Sequence, residues 1–76
     1  MSLEPVVLDV RPYHDRGEEP FAAIMAAVAS LAPGQALLLI NSFDPLPLVR
    51  VMDRRGFDAV RTEALPGEWH VCFTPR

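Results

Sequence analysis

A histidine and a cysteine stand two residues apart near the end of the chain, in the segment EWHVCFT at residues 68–74. Alternate residues of a β-strand point to the same face, so His70 and Cys72 are predicted to share one face of a strand. A thiol beside a proton acceptor gains thiolate character and can serve redox or persulfide chemistry. A strand cysteine also serves as a small apolar filler, and the sequence leaves both interpretations of Cys72 open.

A second set of polar residues falls where two helices are predicted to begin. RPYHDRGEE, residues 11–19, precedes one helical run, and NSFD, residues 41–44, precedes another. This rim could bind a small polar ligand or a loop of a partner protein. The simpler interpretation is that Glu19 and Asp44 cap helices and that Arg11 pairs with one of them. The candidate binding residues are Arg11, His14, Glu19, Pro20, Asn41, Asp44 and Pro45.

The elements that position these residues follow from hydrophobic spacing. VVLDV, residues 6–10, predicts a strand, and residues 11–19 are predicted to form a polar loop. Pro20 suits the first turn of a helix whose apolar face is Phe21, Ile24, Met25, Val28 and Leu31. ALLLIN, residues 36–41, has the unbroken apolar character of a strand buried on both faces, or nearly so.

The second half of the sequence predicts one more helix, followed by a β-hairpin. Asp44 is a good cap residue and Pro45 fits the first helical position, while Gly56 ends the helix. FDAVRTEAL, residues 57–65, and EWHVCFT are strand-like runs joined by Pro66-Gly67, a turn signal. Trp69, Val71 and Phe73 are expected on the core face, and Trp69 fits packing better than a stacking platform.

This order of elements predicts the fold class. Strand, helix, strand, helix, strand, strand indicates a single α/β domain over residues 1–76, an α+β two-layer sandwich. Both helices pack on one face of a four-stranded mixed sheet, and the right-handed crossover makes the first two strands parallel neighbours. The other sheet face stays open and carries Leu38 and Ile40, or else Leu37 and Leu39. Such an apolar face predicts a homodimer or a partner interface.

Composition narrows the class of function. The chain of 76 residues has a net charge of −3, and its seven basic residues are scattered arginines, which argues against nucleic-acid binding. No apolar run is long enough to span a membrane, and the first residues do not resemble a signal peptide. The single cysteine fits a reducing cytoplasm. We expect no metal or cofactor, and the loop residue His14 is expected to be a solvated side chain.

Several motifs together resemble a known family. LDVRP at 8–12, EPF at 19–21, LAPGQALLLIN at 31–41 and DPLPL at 44–48 resemble the family catalogued as domain of unknown function 2249. That family is similar to the bacterial TusA-like (SirA-like) sulfur carriers. The resemblance implies a βαβαββ order with the last strand antiparallel between the second and third.

The resemblance also shows what this chain lacks. The sulfur carriers bear a Cys-Pro-x-Pro motif, and aligning its second proline with Pro20 puts Glu18 at the first proline and Gly17 at the persulfide cysteine. A helix N-terminus stabilises a thiolate there, and glycine has no sulfur, so persulfide relay through this position is excluded. Many members of the nearer family have a histidine where this chain has Phe43.

Two functions are therefore predicted. We favour a small non-catalytic binding or adaptor module on the TusA-like scaffold, because the sequence offers no nucleophile–base–orienter set. Its partner would be a protein or a small polar ligand at the rim. The alternative is a divergent sulfur or redox carrier that uses Cys72 on the open sheet face.

Overall fold

The computed structural model describes residues 3–76, which form seven elements. These are β1 (Val6–Asp9), α1 (Arg11–Asp15), α2 (Phe21–Ala29), β2 (Leu37–Asn41), α3 (Leu46–Arg54), β3 (Phe57–Leu65) and β4 (Glu68–Pro75). The strands form one mixed sheet in the order β1-β2-β4-β3. β1 and β2 are parallel, and β4 is antiparallel to both of its neighbours. The predicted fold class and the strand order implied by the resemblance are confirmed.

The core lies between the sheet and helices α2 and α3. Ile24 of α2 and Met52 of α3 join Leu37 and Leu39 of β2 and the β4 residues Val71 and Phe73. Removing a large apolar side chain from water contributes about 1.5–3 kcal/mol, so this cluster anchors both helices to the same sheet face. Leu38 and Ile40 therefore belong to the open face, which resolves the alternative left by the sequence. Val71 and Phe73 lie on the core face as predicted.

The segment predicted as a polar loop contains a short helix instead. Arg11–Asp15 forms α1, with a proline in its first turn. The helix ends in two backbone hydrogen bonds, from the amide of Gly17 to the carbonyl of His14 and from the amide of Glu18 to the carbonyl of Tyr13. This is a Schellman motif, whose C′ residue must be left-handed, and Gly17 has φ 70°. Gly17 thus has a local structural role at the position aligned with the carriers' cysteine.

The open face carries an apolar row across all four strands. Val7, Leu38, Cys72 and Val60 lie side by side in register. The next row contains Asp9, Ile40, His70 and Thr62, so the apolar row is bordered by polar groups. The predicted homodimer through this face stays a prediction. Within residues 3–76, no helix combines the length and the apolar character that a bilayer span requires.

Candidate functional site

A groove of about 470 Å³ lies where α2 and α3 begin. Four of the residues predicted for the rim line it: His14, Glu19, Asn41 and Pro45. The remaining lining side chains are apolar: Phe21, Ile24, Phe43, Pro47, Leu48 and Val51. The carboxyl end of β2 and the starts of the two helices meet here, at the sheet edge where ligands usually bind in open α/β sheets. We call this feature the helix-start groove.

Helix α1 positions His14 in the helix-start groove. The imidazole lies against Phe43 of the β2–α3 loop, with ring centroids 5.0 Å apart and planes tilted by 55°. His14 is half-buried, contrary to the predicted solvated side chain. Its Nε2 is inaccessible to solvent and has no hydrogen-bond partner among residues 3–76. A buried polar atom without a partner costs about 1–3 kcal/mol, which makes this nitrogen a functional candidate.

Glu19 and Pro20 form the start of α2. A carboxylate oxygen of Glu19 accepts a hydrogen bond of 2.9 Å from the backbone amide of Phe21, which satisfies one of the free amides of the first turn. Glu19 makes this contact from the residue before the N-cap, and the N-cap itself makes no side-chain cap hydrogen bond within residues 3–76. Pro20 is buried and serves as the N-cap, so the helix begins one residue later than predicted. Phe21 was predicted to face the core, yet it is 45% exposed at the groove.

Asp44 does not cap α3, contrary to the prediction. The N-cap is the buried Pro45, and no side chain caps the helix, which begins at Leu46. The Asp44 carboxylate instead accepts a hydrogen bond from the Arg61 guanidinium of β3 through Oδ2. Its other oxygen is buried without a partner in the described part of the chain. This ion pair fixes the β2–α3 loop to the hairpin.

Arg11 does not line the helix-start groove and belongs to a different cluster. Its guanidinium donates two hydrogen bonds to Asp9, of 3.0 and 2.8 Å, and one of 2.6 Å to Glu68. His70 Nε2 lies 2.8 Å from the second oxygen of Glu68. The prediction that Arg11 pairs with Glu19 or Asp44 is therefore wrong. The Glu68 contact could not be predicted from the sequence, because only the folded sheet brings the start of β4 close to the residues that follow β1, across the end of β2.

Hydrogen bonds and charge within this Arg11 cluster (Asp9, Arg11, Glu68 and His70) shift the pKa values of three of its members. The hydrogen bond from Arg11 lowers the pKa of Asp9 below its ordinary value of 3.8. The hydrogen bond from His70, with further help from Arg11, lowers the pKa of Glu68 below 4.5. The same contacts raise the pKa of Arg11. Both carboxylates thus stay ionised around neutral pH. Through its ion pairs with Asp9 and Glu68, Arg11 connects the end of β1 to the hairpin.

His70 and Cys72 share the open face as predicted, but they do not form a thiol–imidazole hydrogen bond. The His70 ring nitrogen Nε2 contacts Glu68. The Sγ of Cys72 lies 3.9 Å from the hydroxyl of Thr74, and that is its hydrogen-bonding contact within residues 3–76. Cys72 is half-buried between Leu38 and Val60. This environment resembles that of a packed strand cysteine.

A second cleft, of about 490 Å³, lies between α3 and β3. Its acidic side chains Asp53 and Asp58 are held by Arg76, at 3.1 and 2.9 Å. Arg61 on its rim is engaged by Asp44. We assign the candidate site to the helix-start groove instead, because most of its lining side chains are apolar and, among them, His14 and Glu19 are the ones that can carry charge.

Metal ligands are not clustered in the described chain. Among residues 3–76, no group of three or more histidine, cysteine, aspartate or glutamate side chains is placed to hold a metal ion. The donor atoms of the helix-start groove are one imidazole, one carboxylate and one amide, and the carboxylate already accepts the Phe21 amide.

Sequence reasoning missed the apolar half of the groove. Phe43, which lines the groove, is 50% exposed. A phenylalanine in a short polar loop, as in NSFDP, was the available signal, since an aromatic residue outside any amphipathic pattern has no core position to occupy.

The fold defines a small two-layer α+β protein with a four-stranded mixed sheet. Residues 7–75 match a protein family described as an uncharacterized conserved protein (DUF2249), and the chain belongs to this family. No curated protein and no solved structure matched the chain.

Proposed function

We propose that this protein is a small non-catalytic binding module whose helix-start groove takes an apolar segment of a partner protein. The observation that carries the proposal is the exposure of Phe21 and Phe43 on one groove. Large exposed aromatic side chains grouped at a concave site are typical of protein interfaces, where they supply the main binding contacts. A partner side chain that covers both rings would remove apolar surface from water.

The polar groups of the groove indicate the chemistry of the partner. Glu19 is the acidic residue of the groove lining, and none of the arginines among residues 3–76 lines the groove. The partner segment is therefore expected to combine an apolar anchor with a flanking arginine or lysine. The buried Nε2 of His14, next to Phe43, is a polar atom that a small movement of the ring would offer to the partner's backbone.

A peptide selection tests this proposal directly. We expect a displayed random-peptide library, selected against the full chain, to yield sequences with an apolar residue beside a basic one. Binding should fall by about tenfold or more, equivalent to about 1.4 kcal/mol, in Phe43→Asp. Leu65→Asp is the matched control, because Leu65 is 60% exposed on the hairpin and does not line the groove. Selected peptides that bind Phe43→Asp as well as the wild type would overturn the proposal.

The second candidate function is a divergent sulfur or redox carrier that uses Cys72. The observation in its favour is the position of Cys72 in the middle of the uncovered sheet face. In such a carrier the Cys72 thiolate would attack the outer sulfur of a persulfide donor, and the donor thiol would leave. We favour the binding module, because His70 is engaged by Glu68 and does not contact the thiol. A TusA-like ancestry and a cytoplasmic location accord with both candidates and rest on the sequence motifs and the single cysteine.

A further inference from the structure

The free edge of β3 is the longest unpaired strand edge of the sheet. In the order β1-β2-β4-β3, strand β3 pairs with β4, and no strand formed by residues 3–76 lies on its other side. It has nine residues, compared with four in β1 at the opposite edge. Residues 60–65 are all exposed, so no helix covers this part of the strand. An open edge of this kind presents backbone amides and carbonyls that can pair with another strand.

We propose that two copies of this chain associate through antiparallel pairing of their β3 strands, centred on Thr62. In this register Thr62 lies opposite its own equivalent. Arg61 lies opposite Glu63 of the second copy, and Val60 lies opposite Ala64. The proposal concerns a different surface from the helix-start groove and does not depend on the proposed function.

Charge complementarity selects this register and this occupant. Opposite charges on directly facing residues stabilise a strand pair, and like charges destabilise it. The two-fold axis through Thr62 forms the Arg61–Glu63 pair twice. Moving the axis to Arg61 would place two arginines face to face, and moving it to Glu63 would do the same with two glutamates. A strand of unrelated sequence would not in general place opposite charges against Arg61 and Glu63. A second copy of residues 60–64, VRTEA, does so in this register.

The side chains that this pairing needs are accessible. Arg61 uses one guanidinium nitrogen for Asp44, and a guanidinium has five donors in total. Glu63 is exposed and has no ion-pair partner within residues 3–76. Both residues lie on the same sheet face, because they are two positions apart in the strand.

A local irregularity limits the length of the contact, and its symmetry limits the number of copies to two. The register of β3 against β4 shifts between Glu63 and Leu65, which marks a bulge at Ala64. Because a bulge disrupts a regular ladder, we place the end of the paired segment at Ala64. A contact of one edge with its own equivalent closes at two copies and does not propagate into a filament.

Sedimentation of the full chain across a dilution series tests the pairing. We expect a reversible monomer–dimer equilibrium that is weakened about tenfold or more by Arg61→Glu or by Glu63→Arg. The double swap R61E/E63R should restore it. Asp44→Asn is the control, because it removes the internal partner of Arg61 and leaves the strand edge intact. A monomer at every concentration would overturn the proposal. So would a dimer whose dissociation constant is the same in wild type and in both single variants, which is the result expected for packing through the open face.

Cross-linking tests the register independently of affinity. Facing residues of antiparallel strands have Cα atoms about 4.5–5.5 Å apart, within the range of a disulfide. Thr62→Cys in a Cys72→Ala background should therefore form a disulfide-linked dimer on mild oxidation. Val60→Cys in the same background should not, because the two copies of Val60 would lie roughly 13 Å apart. Equal cross-linking of both variants would overturn the register, and a circular-dichroism spectrum establishes that each variant is folded.

Discussion

The imidazole of His14 and the ring of Phe43 lie 5.0 Å apart, and this contact joins the short helix α1 to the β2–α3 loop. The two residues are 29 positions apart in the chain, and each follows one of the two parallel strands. The contact closes one wall of the helix-start groove. It also holds the half-buried imidazole in place beside an exposed aromatic ring.

Replacement of Phe43 should separate binding from stability. Because Phe43 is half-exposed, Phe43→Ala is expected to change the free energy of unfolding by less than about 1 kcal/mol. Binding of the selected peptides should nevertheless be lost. Urea denaturation and titration calorimetry on the same variant measure the two effects. A destabilisation as large as that of a core variant would show that Phe43 is a structural residue.

The core variant for that comparison is Phe73→Ala. Phe73 is fully buried between the sheet and the helices, and truncating a buried phenylalanine costs about 3–5 kcal/mol. Since small domains have about 5–15 kcal/mol of stability in total, the variant should be partly or wholly unfolded at room temperature. Val60→Ala, at a residue 65% exposed, should stay folded. Thermal denaturation followed by circular dichroism checks both.

Gly17 should be intolerant of side chains for a conformational reason. Its φ of 70° is left-handed, and no heavy atom lies within 4 Å of the position that a Cβ would occupy. Gly17→Ala should therefore destabilise the fold by about 1–2 kcal/mol through backbone strain alone. Gly17→Asn should cost less, since asparagine tolerates this conformation better. Equal stability of Gly17→Ala and the wild type in urea would contradict the Schellman assignment.

The ion pairs of Arg11 with Asp9 and Glu68 should make the free energy of unfolding depend on pH. The pKa values of Asp9 and Glu68 are lowered in the folded state, so their contribution is present above the unfolded values and is lost as the pH falls. Wild type and Arg11→Met should therefore differ most at neutral pH and converge below about pH 4, near the ordinary pKa of a carboxyl group.

Urea midpoints at several pH values measure this convergence. Arg50→Met serves as the control, because Arg50 is exposed and forms no ion pair in the part of the chain that the structure describes. A constant difference between wild type and Arg11→Met across the whole pH range would show that Arg11 acts through packing alone.

Cys72 provides the test between the two candidate functions. We expect intact-mass analysis to show no stable sulfur adduct after exposure of the protein to a persulfide donor, because the thiol contacts Thr74 and lacks a bound base. Cys72→Ala is the matched control. A donor-dependent adduct that is present in the wild type and absent from Cys72→Ala would favour the carrier function.

The positions of the strands and of the two long helices could be predicted from hydrophobic spacing and turn residues. The unbroken apolar run at residues 36–41 marked the central strand, and Gly56 marked the end of a helix. Helix α1 was missed because five residues are too few for a periodic pattern. The proline in its first turn and Gly17 after its last turn were the available signals.

The sequence by itself determined the fold class, the absence of sulfur at residue 17 and the edge of the sheet where both helices begin. Only the tertiary structure decided which polar groups meet there. Asp44 pairs with Arg61 and Arg11 with Glu68, across 17 and 57 positions of the chain. Such pairs form because the sheet brings β3 and β4 beside the ends of the parallel strands, and local propensity carries no information about them. The groove that remains is apolar because its charged neighbours are engaged with one another.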